Sequence, residues 1–202
     1  MNESFGILIL AGGESMRMDF PKIYLKIDGK TFLSKIVTEY CSAGIENICL
    51  VINEKFVSGR WKKLFEQAKL RVGVIEKTEP HYGRFHSLKL GIKNLLACDF
   101  VFVQNGDNPF IHKEIIERMM QNKNPLGYTQ VAFNGKSGHP VMISKNISLR
   151  INEIKVTNYN LRNILKEFPK TEVEVNDEGI LANINTKEDF EKYLYGKHEK
   201  YF

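Results

Sequence analysis

The chain has 202 residues, a net charge of +5 and 43% hydrophobic residues. That length and apolar content exclude a disordered chain and make one domain the default. The positive balance suits an anionic ligand, but no Lys/Arg block and no aromatic–basic stripe marks a nucleic-acid surface. Cys41, Cys49 and Cys98 are odd in number and form no C-x-x-C, so neither a disulfide framework nor a zinc site is indicated. Buried free thiols in a reducing compartment are expected. No apolar run approaches the length of a membrane span and the first residues lack a basic signal region, so the expectation is a cytoplasmic protein without a membrane partner.

In chain order, Ile7 to Leu10 reads as a buried strand. Thr31 to Cys41 has apolar residues at helical spacing, with Gly44 placed to stop the helix. Asn47–Ile52 predicts a strand, Lys55–Ala68 a helix and Val72–Ile75 a strand. Ser87–Leu96 predicts a helix with Ser87 as its N-cap. Phe100–Val103 is a strand buried on both faces, and His112–Gln121 is helical. From Tyr128 the rhythm changes. Thr129–Phe133 and Pro140–Ser144 read as short strands around a hairpin-like or lid-like insertion at Asn134–Gly138. Helical patches follow at Leu149–Ile154 and Leu161–Phe168, short strands at Val173–Val175 and Ala182–Ile184, and a closing helix at Lys187–Leu194. The expected fold is a single α/β domain, residues 1–195, with a Rossmann-like, mostly parallel sheet, helices on both faces and a small β lid or insertion. Residues 196–202 read as a frayed tail.

Four segments carry chemistry. After the first strand, Ala11, Gly12 and Gly13 remove side chains where backbone must approach a ligand, and Ser15, Arg17 and Lys22 follow. Bare amides beside fixed positive charge suit a polyphosphate. Neither the Walker spacing nor G-x-G-x-x-G occurs. Beyond the strand at Phe100, Gly106 lets the chain turn and Asp107 sits where open parallel sheets bind ligands. A lone carboxylate there suits Mg²⁺, or else caps a turn. The third segment is Gly83–Ser87 at a helix start, able to receive a base edge or a phosphate. The fourth is Gly138-His139-Pro140, where His139 is open to two readings: acceptor contact, or a structural histidine held by a turn.

These segments resemble the MobA/MocA-like nucleotidyltransferases, which include the molybdenum-cofactor guanylyl- and cytidylyltransferases. Leu10-Ala-Gly-Gly-Glu-Ser-Met-Arg-Met with Pro21-Lys22 is similar to L-A-G-G-x-S-x-R-M…P-K. Gly83 to Gly91 resembles G-x-x-x-S-L-x-x-G, Gly106 to Phe110 resembles G-D-M-P-F, and Gly138-His139-Pro140 resembles G-H-P. Asn183 to Asp189 resembles D-I-D-T-P-E-D, and Asn158 to Arg162 is a weakened D-x-G-x-R. Together the matches span Ile7 to Phe190.

The resemblance implies transfer of a nucleoside monophosphate from an NTP to a small phosphorylated acceptor, with pyrophosphate released. It implies that Arg17 and Lys22 hold the phosphates. Base and ribose fall to Leu10, Ala11, Gly12, Gly13, Gly83, Ser87 and Gly106. Mg²⁺ falls to Asp107 with Asn185, and the acceptor to His139 and Arg162. G-H-P resembles the cytidylyl branch, which favours CTP over GTP. Asn183 and Asn185 stand where family members often carry acids. Asn108 replaces a Met and Phe85 is bulky for its loop, departures that point to an acceptor unlike molybdopterin. Two rivals stay open: a catalytically silent nucleotide-binding protein, and a nucleotide-dependent oxidoreductase.

Overall fold

A computed structural model describes residues 3–15, 18, 20–68, 71–156 and 159–196, and the side chains of all of these except residues 194–196. Strand β1 spans Phe5–Ala11 and is followed by a 3-10 turn at Lys22–Tyr24. The short strands β2 (Lys26–Ile27) and β3 (Lys30–Thr31) form a separate ribbon. Helix α1 is Phe32–Ser42, β4 is Asn47–Asn53, α2 is Lys62–Ala68 and β5 is Val74–Thr78. Next come α3 (Gly83–Lys93), β6 (Phe100–Asn105), α4 (Lys113–Gln121), β7 (Tyr128–Phe133) and β8 (Lys136–Ser144). The chain continues through α5 (Lys145–Glu153), α6 (Leu161–Leu165), β9 (Lys170–Glu174) and α7 (Lys187–Gly196).

The main sheet has seven strands in the order β5-β4-β1-β6-β8-β7-β9. Only β8 runs antiparallel to its neighbours. Side chains alternate across the sheet, as strand geometry requires. Ile7 and Ile9 of β1 point to the face covered by α1, α2 and α4, where Leu33, Ile36, Phe65, Ile116 and Met119 pack. Leu8 points to the opposite face, where Leu88 and Ile92 of α3 and Ile147 and Ile151 of α5 pack. Three-layer packing of this kind is the Rossmann-like α/β arrangement expected from the alternation of strands and helices. Among the described residues no helix is long and apolar enough to cross a membrane. Cys49 and Cys98 are buried free thiols and Cys41 is half-buried and free. Burial, with a smaller contribution from Glu76, pushes the Cys49 thiol up to about 12.

Several local expectations shift. The insertion after Tyr128 is a hairpin whose strands complete the main sheet between β6 and β9. Its turn is Asn134-Gly135, both at positive φ (50° and 70°), the pairing that lets two strands reverse in two residues. Ser87 is not an N-cap. Helix α3 begins four residues earlier, at Gly83. Lys55–Ala68 is helical only from Lys62, after two 3-10 turns. Ala182–Ile184 makes no strand ladder, because Ala182 N–H turns back to the Gly179 carbonyl (3.0 Å) and Ile184 N–H goes sideways to the Asp107 carbonyl (3.0 Å). The expected tail falls, after Gly196, outside the described residues.

Candidate active site

The strand order reverses at β1 and β6. From β1 the chain winds out to β4 and β5, then returns to β6 on the other side. The loops leaving β1 and β6 therefore diverge to opposite faces and leave a crevice at the carboxyl ends of these two strands. The glycine loop and Asp107 both lie there, tied by a hydrogen bond from Gly106 N–H to the Leu10 carbonyl (2.9 Å).

The Asp107 turn is braced from below. Gln104, fully buried in β6, accepts from the Tyr40 hydroxyl (3.1 Å) and donates to the carbonyls of Asn105 (3.1 Å) and Asn108 (2.8 Å). Asn108 accepts from Phe110 N–H (3.1 Å) and donates to the Ile180 carbonyl (3.1 Å). Asn108 is 1% exposed, and its amide serves the turn. The turn thus holds the Asp107 carboxylate with its Oδ1 buried and without a hydrogen-bond partner. The Lys22 ammonium lies 3.6 Å from Asp107 Oδ2 and donates to Asn185 Oδ1 at 2.7 Å. Asn185 is fixed in turn by Asp189, whose carboxylate accepts from the backbone N–H groups of Asn185 and Thr186 (2.9 Å each) and caps α7. Those two backbone bonds hold the Asp189 carboxyl below the usual range, with Lys22 a minor contributor.

The glycine loop closes the opposite wall. A Cβ on Gly12 would meet Thr78 Cγ2 at 2.8 Å and Ser87 Oγ at 2.9 Å, so the loop rests directly on α3. Asn53 at the end of β4 donates to the Gly13 carbonyl (3.3 Å) and turns it aside. A Cβ on Gly13 would meet nothing within 4 Å, which leaves backbone open to a ligand. Gly12, Gly13, Gly83, Arg84, Ser87, Asn105 and Asp107 line one pocket of about 210 Å³. The first turn of α3 therefore presents the positive end of a helix to the same space.

A larger cleft of about 950 Å³ adjoins it and shares Leu10, Arg84 and Asn105 as lining. Here the hydrogen bonding settles the state of His139. Arg84 Nη2 donates to Asn105 Oδ1 (2.6 Å), and Asn105 Nδ2 lies 3.0 Å from His139 Nε2. Arginine can only donate, so Asn105 Oδ1 faces it and the amide nitrogen faces the ring. His139 Nε2 must then accept, and the ring proton sits on Nδ1, a buried atom with no partner. Burial, aided by the Arg84 charge and opposed by Asp107, holds the His139 pKa below its ordinary value, which agrees with a neutral ring.

The structure brings Leu10, Ala11, Gly12, Gly13, Lys22, Gly83, Ser87, Gly106, Asp107 and Asn185 around one crevice, with His139 and Arg162 in the adjoining cleft. Arg17 lies outside the described residues. Arg84 and Asn105 were not singled out from sequence. Asn105 reads as the last residue of a buried strand, and its partners come from α3 and β8.

A family model for the MobA-like NTP transferase domain matches residues 7–173. The chain belongs to that family. It is 29% identical to a probable molybdenum cofactor guanylyltransferase of Aquifex aeolicus, over 92% of this chain and 88% of that protein. It is 28% identical to 2-C-methyl-D-erythritol 4-phosphate cytidylyltransferase of Thermosipho africanus, over 64% of this chain but only 58% of that protein's length. The fold matches the crystal structure of Rv0371c from Mycobacterium tuberculosis with a TM-score of 0.78 at 18% identity, covering 96% of this chain and 99% of that one. The same mycobacterial protein has also been solved with manganese (TM-score 0.74, 16% identity, 96% and 99% coverage). This MobA-like chain is thus a nucleotidyltransferase-family protein with the fold expected of one.

Proposed function

We propose that this chain transfers a nucleoside monophosphate, CMP by preference, from an NTP to a small phosphorylated acceptor in a Mg²⁺-dependent reaction. The observation that carries the reading is the meeting of Lys22, Asp107 and Asn185 at the ends of β1 and β6. The donor's triphosphate lies along the Gly12–Gly13 backbone and the first turn of α3, with Lys22 neutralising its charge. An oxygen of the acceptor phosphate attacks the α-phosphorus in line. The bond between that phosphorus and the bridging oxygen breaks, and pyrophosphate carries the electron pair away. The protein supplies position and charge and no covalent intermediate is needed.

The donor set fits a divalent ion. Asp107 Oδ2 and Asn185 Oδ1 already converge on one ammonium, and Asp107 Oδ1 has no hydrogen bond. One carboxylate and one amide oxygen suit Mg²⁺, which takes its other ligands from phosphate and water. Asp107 and Asn185 would hold the ion there, and it would supply positive charge to offset that on the departing group. His139, Arg84 and Arg162 serve the acceptor. The preference for CTP is supported by the G-H-P likeness and by the Thermosipho relative.

A silent nucleotide-binding protein is the second reading. It is favoured by the amide at Asn185 and by the lack, among the described residues, of any group of three His, Cys, Asp or Glu able to hold a metal. Pyrophosphate release measured over the four NTPs with a panel of phosphorylated acceptors separates the two. Release with CTP above the others is expected. Tight NTP binding without release from any pair would sink the transferase.

A further inference from the structure

Arg84 stands at the junction of two spaces. It is the only Lys or Arg among the described residues that lines both the nucleotide pocket and the adjoining cleft. Lys22 lines neither of them and shares its own surroundings with Ser15. The Asp107 carboxylate meets the Lys22 charge at 3.6 Å, whereas Arg84 has no carboxylate partner among the described residues.

What holds Arg84 is an amide. Asn105 Oδ1 accepts from its Nη2 at 2.6 Å, and the guanidinium keeps its other N–H donors and its whole charge. A carboxylate at this place would grip the arginine and cancel it. A neutral oxygen fixes it and leaves the charge for a ligand. The amide serves only one way round. Reversed, its NH₂ would face the guanidinium, donor against donor, at a side chain 6% exposed. His139 sets the direction, because its Nε2 lone pair accepts from Asn105 Nδ2 (3.0 Å). That arrangement leaves His139 Nδ1 as a buried donor without a partner. Such a group calls for an explanation, and the lone pair at the other end of the ring supplies one.

In nucleotidyl transfer the donor's α-phosphate is the one group in touch with both substrates. It is bonded to the nucleoside and attacked by the acceptor. A cation shared by the two spaces belongs there, where two anions meet and repel. Taking the chain as a nucleotidyltransferase, we infer that Arg84 contacts the donor's α-phosphate and that Asn105 and His139 are positioning residues that aim it. Arg84 donates hydrogen bonds to non-bridging oxygens of that group. It forms no covalent bond and transfers no proton, so its charge stays in place while the bond to pyrophosphate breaks. Because it also faces the cleft, the same charge offsets that of the incoming acceptor phosphate. His139 acts at one remove, through the Asn105 amide.

Calorimetry on the full chain with Mg²⁺ present would compare each of the four nucleoside 5′-monophosphates with its nucleoside. The readout is the ratio of the two affinities, which separates the α-phosphate contact from base and ribose. In Arg84→Gln that ratio should fall about tenfold, the scale of one hydrogen bond to a charged group, with nucleoside affinity unchanged. His139→Leu should lower the same ratio. The double variant Arg84→Gln/His139→Leu should lie no lower than Arg84→Gln alone, since the histidine acts through the arginine. Arg84 is exposed, so its replacement spares the core, and thermal melting would verify the fold of the histidine variants. A ratio that survives either single substitution, a nucleoside affinity that falls by the same factor, additive losses in the double variant, or no binding of any monophosphate would overturn the inference. The measurement involves no transfer. Absent pyrophosphate release beside an intact Arg84-dependent ratio would therefore count against the transferase reading alone.

Discussion

The Lys22 ammonium stands 3.6 Å from the Asp107 carboxylate and 2.7 Å from the Asn185 amide oxygen, joining three loops that are distant in the chain. Both members of the ion pair keep some exposure, 15% for Lys22 and 28% for Asp107, so a ligand can reach them. Asp107→Ala should abolish turnover, and Lys22→Ala should lower kcat/KM for the NTP by about 100-fold, the scale for losing one preorganised charge partner. Arg17→Ala is expected to weaken NTP use as well. Pyrophosphate-release rates check all three, and wild-type rates for the Asp107 variant would show the charge assignment to be wrong.

Asn185 gives the site an oxygen without a charge. Asn185→Asp restores the acid at that position and adds charge to the ligand set, which strengthens divalent-ion binding. The expected outcome is roughly a tenfold drop in the Mg²⁺ concentration giving half-maximal rate, measured by metal titration at saturating NTP. An unchanged midpoint would place the ion elsewhere.

His139 titrates below its ordinary value because its ring is desolvated, with Arg84 adding to the effect and Asp107 opposing it. Below about pH 6.5, the unperturbed value, the unfolded chain takes up a proton that the folded chain resists. Folding stability is therefore whole above that pH and declines as the pH falls toward the lowered folded value. Protonation also removes the lone pair that accepts from Asn105. Melting temperatures between pH 7.5 and 5 should fall for the wild type and fall less for His139→Gln. Parallel curves would mean that other groups set the acid sensitivity.

Gly91 fixes the approach of α3 to the sheet. A Cβ there would meet Leu8 Cδ1 at 2.1 Å and Val51 Cγ2 at 3.0 Å. Gly91→Ala forces the buried Leu8 side chain to repack or α3 to move off β1, and a moved α3 carries with it the Gly83–Ser87 turn that lines the nucleotide pocket. Overpacking of this kind costs about 1–3 kcal/mol, readable in urea unfolding, and NTP affinity should fall with it.

Much of the architecture was legible because it rests on short-range patterns. The apolar run at Ile7–Leu10, the helical spacing of Phe32 to Tyr40 and the bare Gly12-Gly13 pair each express a local requirement of backbone geometry or one-sided burial. Readings failed where a distant partner overrode the local cue. Ser87 looks like a cap but lies inside α3, its hydroxyl against the glycine loop. Ala182–Ile184 looks like a strand, but Ile184 gives its N–H to Asp107.

By itself the sequence determined the alternation of strands and helices, the glycine loop, the acid after β6 and the family to which they belong. These are written in the spacing of apolar residues and in turn chemistry. Only the tertiary structure decided that Lys22, Asp107 and Asn185 share one point. It also decided that Arg84, Asn105 and His139 form one hydrogen-bonded chain, and that Arg162 and Lys166 face a single cleft. The reason is geometric. Such contacts depend on strand order and on where the winding reverses at β1 and β6, and no local run of residues encodes which strands become neighbours.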